Sequence, residues 1–158
     1  MEKELNIILM VNGDRYEGDF RNELREGKGI MYYYDGEKYE GDWRNGIKHG
    51  KGIYYFKDGS RYEGDWRNNK QEGRGMIYRN NGQRYTGQVV NGLPEGKGIG
   101  YYPSGARYEG DWRNGKQEGK GVYYHNNGDI IMGNYSNNKP IGKHAVLTKN
   151  GIVQEANY

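Results

Sequence analysis

Glycine recurs every 23 residues along this 158-residue chain, at Gly13, Gly36, Gly59, Gly82, Gly105, Gly128 and Gly151. A fixed step of that length is the mark of one small unit copied in tandem, each copy burying its apolar face against its neighbours. Other columns keep the same step. Tyr16, Tyr39, Tyr62, Tyr85 and Tyr108 form one, and Gly18, Gly41, Gly64, Gly87, Gly110 and Gly133 follow two residues behind. A third column pairs Gly27 with Gly29, Gly50 with Gly52, Gly73 with Gly75, Gly96 with Gly98 and Gly119 with Gly121.

Composition alone points toward disorder: mean hydropathy is −1.21 and only 33% of residues are hydrophobic. The aromatic content of 14%, with 17 Tyr and 3 Trp, points the other way. Aromatic residues in strict columns imply an ordered but thin structure without a thick aliphatic core. The 24 basic and 21 acidic residues are finely interleaved, a solvated pattern that does not suggest nucleic acid as a partner. Cysteine is absent, which excludes disulfides and thiolate metal sites. The run Ile7-Ile8-Leu9-Met10-Val11 is too short to span a bilayer and lacks a basic flank, so it reads as a strand, and a cytoplasmic setting is expected.

The third copy serves as a template. Tyr62-Glu63-Gly64-Asp65-Trp66-Arg67 alternates with the period of a strand that has one wet face. Asn68 to Glu72 are turn formers, and Gly73-Arg74-Gly75-Met76-Ile77-Tyr78 suits a second strand. Asn81-Gly82 then supplies a tight reversal. Each unit is thus expected to be a hairpin, and the whole an all-β, single-layered antiparallel sheet of about a dozen strands. Glycines crowded beside rings suggest that it is curved. The expected organisation is one array over residues 1–158. It comprises a half-repeat 1–15, repeats 16–38, 39–61, 62–84, 85–107 and 108–130, and a degenerate cap 131–158. In the cap Ile131 replaces Tyr, Tyr135 replaces Trp and His144 replaces the second Gly.

Units reading Tyr-Glu-Gly-Asp-Trp, a loop, Gly-Lys-Gly and Asp-Gly resemble the MORN (membrane occupation and recognition nexus) repeats over nearly all of the chain. The resemblance implies a curved, U-shaped single sheet. It also implies a scaffold at ciliary, cytoskeletal or membrane-junction sites, whose concave groove holds a partner peptide or helix. Lipid binding is attributed to the family as well.

Within the first strand of a unit, Tyr62, Gly64 and Trp66 share one face, so stacked copies make aromatic rows. Tyr16, Phe20, Tyr39, Trp43, Tyr62, Trp66, Tyr85, Val89, Tyr108 and Trp112 are the expected lining of a partner-binding groove. The same rings also suit a second role, packing on glycine in place of a core. The expected register sets Trp66 across from Gly75, and leaves open the face taken by Tyr32, Tyr55, Tyr78, Tyr101 and Tyr124. In the fourth copy Thr86, Gln88 and Val89 stand for Glu, Asp and the ring, and Leu93-Pro94 enters the loop. Val89 there suggests either drift or an apolar notch in the ring row.

No enzyme signature emerges: the paired carboxylates recur in four copies, as a catalytic dyad does not. His49, His125 and His144 occupy different repeat positions and form no metal triad, and no cofactor is implied. The leading expectation is a non-enzymatic scaffold for a protein partner in a ciliary, axonemal or cytoskeletal assembly. Alternatives are a peripheral module holding anionic phospholipid through loop-tip lysines Lys48, Lys70 and Lys116, and a regulatory fragment of a larger enzyme. Exposed terminal strands would also permit an end-to-end homodimer.

Overall fold

The computed structural model describes residues 6–9 and 12–158, and those residues form strands and turns with no helix. Strand β1 is Asn6–Leu9, and Met10 and Val11 of the N-terminal apolar run lie outside the described residues. Contacts group the chain into two compact units, Met1–Asn80 and Asn81–Tyr158. The first unit holds β1 and three hairpins: β2 (Arg15–Arg21) with β3 (Leu24–Tyr32), β4 (Lys38–Arg44) with β5 (Ile47–Tyr55), and β6 (Arg61–Arg67) with β7 (Lys70–Tyr78). The second holds β8 (Arg84–Val90) with β9 (Leu93–Tyr101), β10 (Arg107–Arg113) with β11 (Lys116–Tyr124), β12 (Ile130–Ser136) with β13 (Lys139–Leu147), and β14 (Val153–Asn157). Within each unit every strand pairs antiparallel with its chain neighbours, so each unit is a single layer of consecutive hairpins.

The hairpin turns are tighter than the five-residue loop read from the sequence. Asn68 and Asn69 alone reverse the chain, at φ 50° and 66°, and Lys70 already begins β7. The same left-handed pair recurs at Asn45-Gly46, Asn91-Gly92 and Asn114-Gly115. Two consecutive positive φ values define the turn whose twist matches the flanking strands, and Asn and Gly are the residues that tolerate it. Successive hairpins are joined by a different device. Gly36 donates its N–H to the Tyr33 carbonyl (3.0 Å) and Tyr33 donates to the Glu37 carbonyl (3.0 Å), while Asp35 accepts from the Glu37 N–H (3.1 Å). The pattern returns at Phe56–Ser60 and His125–Asp129, which explains the Asp-Gly and Asn-Gly columns.

The short turn corrects the expected register. Trp66 stands across from Gln71, and Gly75 faces Gly64. Between these two pairs β6 contributes one residue, Asp65, and β7 contributes three, so the second strand bulges. In the hairpin before it, Gly50 occupies that bulge at φ 75°, a conformation that L side chains rarely adopt. The bulge leaves an unpaired N–H, and the carboxylate opposite takes it: Asp42 accepts from the Lys51 N–H at 2.8 Å, and Asp65 from the Arg74 N–H at 2.8 Å. The Gly-x-Gly column and the Asp column are therefore two halves of one motif.

Facing glycines make room for the core. Gly41 lies opposite Gly52, and a Cβ on Gly52 would sit 2.5 Å from the Tyr39 hydroxyl oxygen. Gly52→Ala is accordingly expected to lose about 3 kcal/mol of stability by overpacking. Lys57→Ala in an exposed turn should change it by less than about 0.5 kcal/mol. Urea denaturation of the two variants tests the difference.

Candidate functional site

The face that carries the tyrosine column is built in layers, beginning with those glycines. In the first unit Tyr16, Tyr39 and Tyr62 are almost completely buried, each ring lying over a facing glycine pair. Each hydroxyl donates to a backbone carbonyl three residues on: Tyr39 to Asp42 (2.9 Å) and Tyr62 to Asp65 (2.8 Å). The tryptophans form the next layer and join hairpins. Trp43 meets Tyr39 edge-on at 5.1 Å and Tyr16 of the preceding repeat at 5.4 Å, and its indole N–H donates to the Gly29 carbonyl at 3.2 Å. Trp66 repeats this on Tyr62, Tyr39 and the Gly52 carbonyl. Phe20 packs on Tyr16 at 5.0 Å and stays half-buried.

The second unit uses the same scheme. Trp112 packs on Tyr85 and Tyr108 and donates to the Gly98 carbonyl at 3.1 Å. Val89 is fully buried, so the apolar notch suggested at this position is not open over its own side chain. In the last repeat the ring is supplied from the other strand: with Ile131 in the tyrosine column, His144 from β13 lies over Gly133 and meets Tyr135 and Tyr158 edge-on. Of the ten residues read as groove lining, nine are buried, and their area is spent chiefly on one another and on glycine.

The exposed part of this face comes from a column that the sequence reading left without a role. In the first unit Tyr54 lies 5.8 Å from Tyr33 and 4.8 Å from Phe56, ring to ring, and Phe56 is 36% exposed. Tyr54 also leans on Trp66 at 6.0 Å, and its hydroxyl is hydrogen-bonded to the Glu37 carboxylate. The matching set in the second unit is Tyr102, Tyr123 and His125, with Tyr102 and Tyr123 stacked at 5.9 Å. Here the Gln117 amide donates to the Tyr102 hydroxyl at 2.6 Å. These residues sit two and four places beyond the second glycine of each bulge, a spacing visible in the sequence once the register is known.

Lys48 lies elsewhere than at the loop tip expected for it. It is the second residue of β5 and directly opposes Trp43 across the hairpin. Its ammonium lies 4.5 Å from the Tyr54 ring centre, 5.0 Å from Trp66, 5.3 Å from Tyr39 and 5.5 Å from Tyr33, and donates to the Tyr33 hydroxyl at 3.2 Å. Burial among these rings brings its pKa down to about 8, with the Arg25 charge adding to the effect and Glu37 opposing it. Arg25 holds the equivalent position one repeat earlier, 4.4 Å over Trp43, and donates to the Gly46 carbonyl at 2.7 Å. Lys70 and Lys116 are the exposed first residues of their strands, as a loop-tip position requires, and Lys116 donates to the Asn137 side chain at 3.0 Å.

The opposite face takes the tyrosine row that the sequence left open. Tyr32, Tyr55, Tyr78, Tyr101 and Tyr124 each lie under a cation on the directly opposed residue, with Arg15, Lys38, Arg61, Arg84 and Arg107 at 3.8–4.3 Å. Beside them, Lys28 pairs with Asp42 at 2.6 Å, Lys97 with Asp111 at 2.5 Å, and Lys51 with Asp65, each linking one repeat to the next. These lysines are largely exposed, so each pair contributes well under about 1 kcal/mol.

The buried hydroxyls make the fold sensitive to alkali. Burial holds Tyr16 and Tyr85 up to about 12, against an ordinary value of 10.0, and lifts Tyr39, Tyr62 and Tyr108 higher still. A raised folded pKa means that the unfolded chain releases its protons first, so the stability is complete below pH 10.0 and is lost as pH climbs toward 12. The tyrosinate absorbance of these five buried rings is expected to appear as a late step that coincides with loss of the folded circular dichroism signal. Separately, Trp66→Phe removes the bond to the Gly52 carbonyl and should cost about 1 kcal/mol in a denaturant titration.

Comparison with known proteins bears on the fold and the family. No relative among proteins of curated function matches the sequence. Among solved structures the chain is similar to the SAS-4 (dCPAP) TCP domain of Drosophila Melanogaster, described in complex with a proline-rich motif of Ana2 (dSTIL). That likeness has TM-score 0.62 and 13% identity, and covers 98% of this chain and 90% of that one. The TCP10 domain of Danio rerio CPAP is similar at TM-score 0.61 and 14% identity, over 96% of this chain and 73% of that one. At such identities the likeness concerns the fold. The family model described as MORN repeat matches residues 16–38, 39–61, 62–84, 85–107 and 108–130 in unbroken succession, and the chain belongs to the MORN repeat family.

Proposed function

We propose that this chain is a non-enzymatic scaffold that holds a peptide or helix of a partner protein on the ring-bearing face of its repeats. The observation that carries this reading is the half-exposed aromatic shelf of Tyr33, Tyr54 and Phe56, set on a fully packed layer of Tyr and Trp. A rigid floor under partly exposed rings is what an extended peptide needs, because the rings are already ordered and binding costs little side-chain entropy. In the unit Met1–Asn80 the lining is then this shelf and Tyr16, Phe20, Tyr39, Trp43, Tyr62 and Trp66 form its floor, while in the unit Asn81–Tyr158 Tyr85, Val89, Tyr108 and Trp112 form the floor beneath Tyr102, Tyr123 and His125. The TCP domain of similar fold, described with a proline-rich motif bound, supports a peptide as the ligand class. Membership of the repeat family supports a ciliary or cytoskeletal assembly as the setting.

A photo-crosslinking amino acid placed at Phe56 tests this against the same group placed at Tyr78 on the opposite face. The expected result in cell lysate is one protein partner crosslinked from position 56 and absent from position 78. Crosslinking from position 78 alone, or from neither, would overturn the proposal.

A further inference from the structure

On the scaffold reading above, we infer that the partner segment held by the unit Met1–Asn80 carries a carboxylate close to its apolar residues, and that Lys48 receives it. The stem and ammonium of Lys48 sit among Tyr33, Tyr39, Tyr54 and Trp66, yet among the described residues no carboxylate lies within ion-pairing distance of Nζ. Lys48 is half-buried, and an ammonium held against ring faces gains from a carboxylate beside it. Ring faces and one tyrosine hydroxyl offset part of the lost hydration, and among the described residues that hydroxyl is the one protein acceptor hydrogen-bonded to the ammonium.

The surrounding charges point the same way. Arg25 is the second cation on this face, and its repulsion of Lys48 adds to the effect of burial. The nearby acids are engaged otherwise. Glu37 is hydrogen-bonded to the Tyr54 hydroxyl and accepts from the Lys57 N–H at 3.3 Å. Asp14 accepts from the Tyr34 N–H at 2.9 Å, and Asp35 holds the Glu37 turn. A basic segment would meet two cations here, whereas an acidic one relieves both. In the second unit the same column reads Pro94, Gln117 and Pro140, and Gln117 is satisfied by Tyr102. Demand for a carboxylate is therefore a property of the first unit.

Geometry limits the spacing within the partner. Tyr54 is 4.5 Å from the amine and 4.8 Å from Phe56, so amine and outer ring lie within about 9 Å of each other. That is the reach of about three extended residues. The segment thus presents Asp or Glu within about three residues of a proline or aromatic side chain that rests on Tyr54 and Phe56.

The test is a randomised twelve-residue peptide display library selected on the full chain, run in parallel on Lys48→Met after circular dichroism establishes that the variant is folded. The expected result is enrichment of acidic residues within three positions of Pro, Phe, Tyr or Trp. That acidic preference should disappear on Lys48→Met while the apolar preference persists. Replacing Glu by Gln in the best peptide should weaken its binding to the unaltered chain about tenfold, a readout independent of any variant's folding. Enriched peptides without an acidic preference, or a preference that survives Lys48→Met, would overturn the inference and leave the scaffold reading intact. An absence of any enriched peptide would overturn the scaffold reading itself. Binding to vesicles of phosphatidylserine that Lys48→Met abolishes would reassign the amine to a lipid headgroup.

Discussion

Each of the five full repeats rests on a tyrosine ring laid across two glycines that face each other over the hairpin. A single layer has no second sheet to bury an apolar face, so the ring must be covered from within its own layer. The facing glycines let it lie flat against the backbone, where a Cβ at either position would meet it at 2.2–2.8 Å. With the ring flat, its hydroxyl reaches a backbone carbonyl and its edge becomes the seat for the tryptophan of the same and the following repeat. Thinness is thus compensated by aromatic area, which buries more surface per residue than any aliphatic side chain of comparable flexibility.

The bulge follows from the same constraint. A two-residue turn brings the strands together before the glycine pair is aligned, and the extra residues of the second strand restore the alignment. One left-handed glycine and one carboxylate accepting the stranded N–H are the means. Where the fourth copy replaces Asp by Gln88, the shift moves next to the glycine pair, between Gly87 and Gln88, so the device is adjusted rather than lost. The last repeat shows how strictly the ring is required. Ile131 removes it from one strand, and His144 returns a ring to the same space from the other. Two departures that look like decay in the sequence are a single exchange in space.

Much of this was legible beforehand. The 23-residue step, the hairpin unit, the alternation that sets Tyr, Gly and Trp on one face, and the reading of the rings as a substitute core all follow from the columns. The register did not, because a turn of two residues and a turn of five leave the same Asn-rich stretch between the same strands. That uncertainty propagated. With Trp66 set opposite Gly75, the second-strand column of Tyr54 and Tyr123 had no assigned neighbours, and Lys48 appeared to stand at a loop tip. The exposed aromatic shelf was missed for the same reason.

Sequence by itself determined that this chain is an array, what its unit is, and which residues must touch glycine. These are demands repeated in every copy, and repetition makes them readable. Tertiary structure decided what happens where the copies differ: which ring supports Lys48, which face receives the outer tyrosines, and which strand supplies the last ring. Those outcomes depend on residues brought together across strands by register. A period in sequence cannot disclose register, since a shift of one residue preserves every column while turning its side chains to the other face.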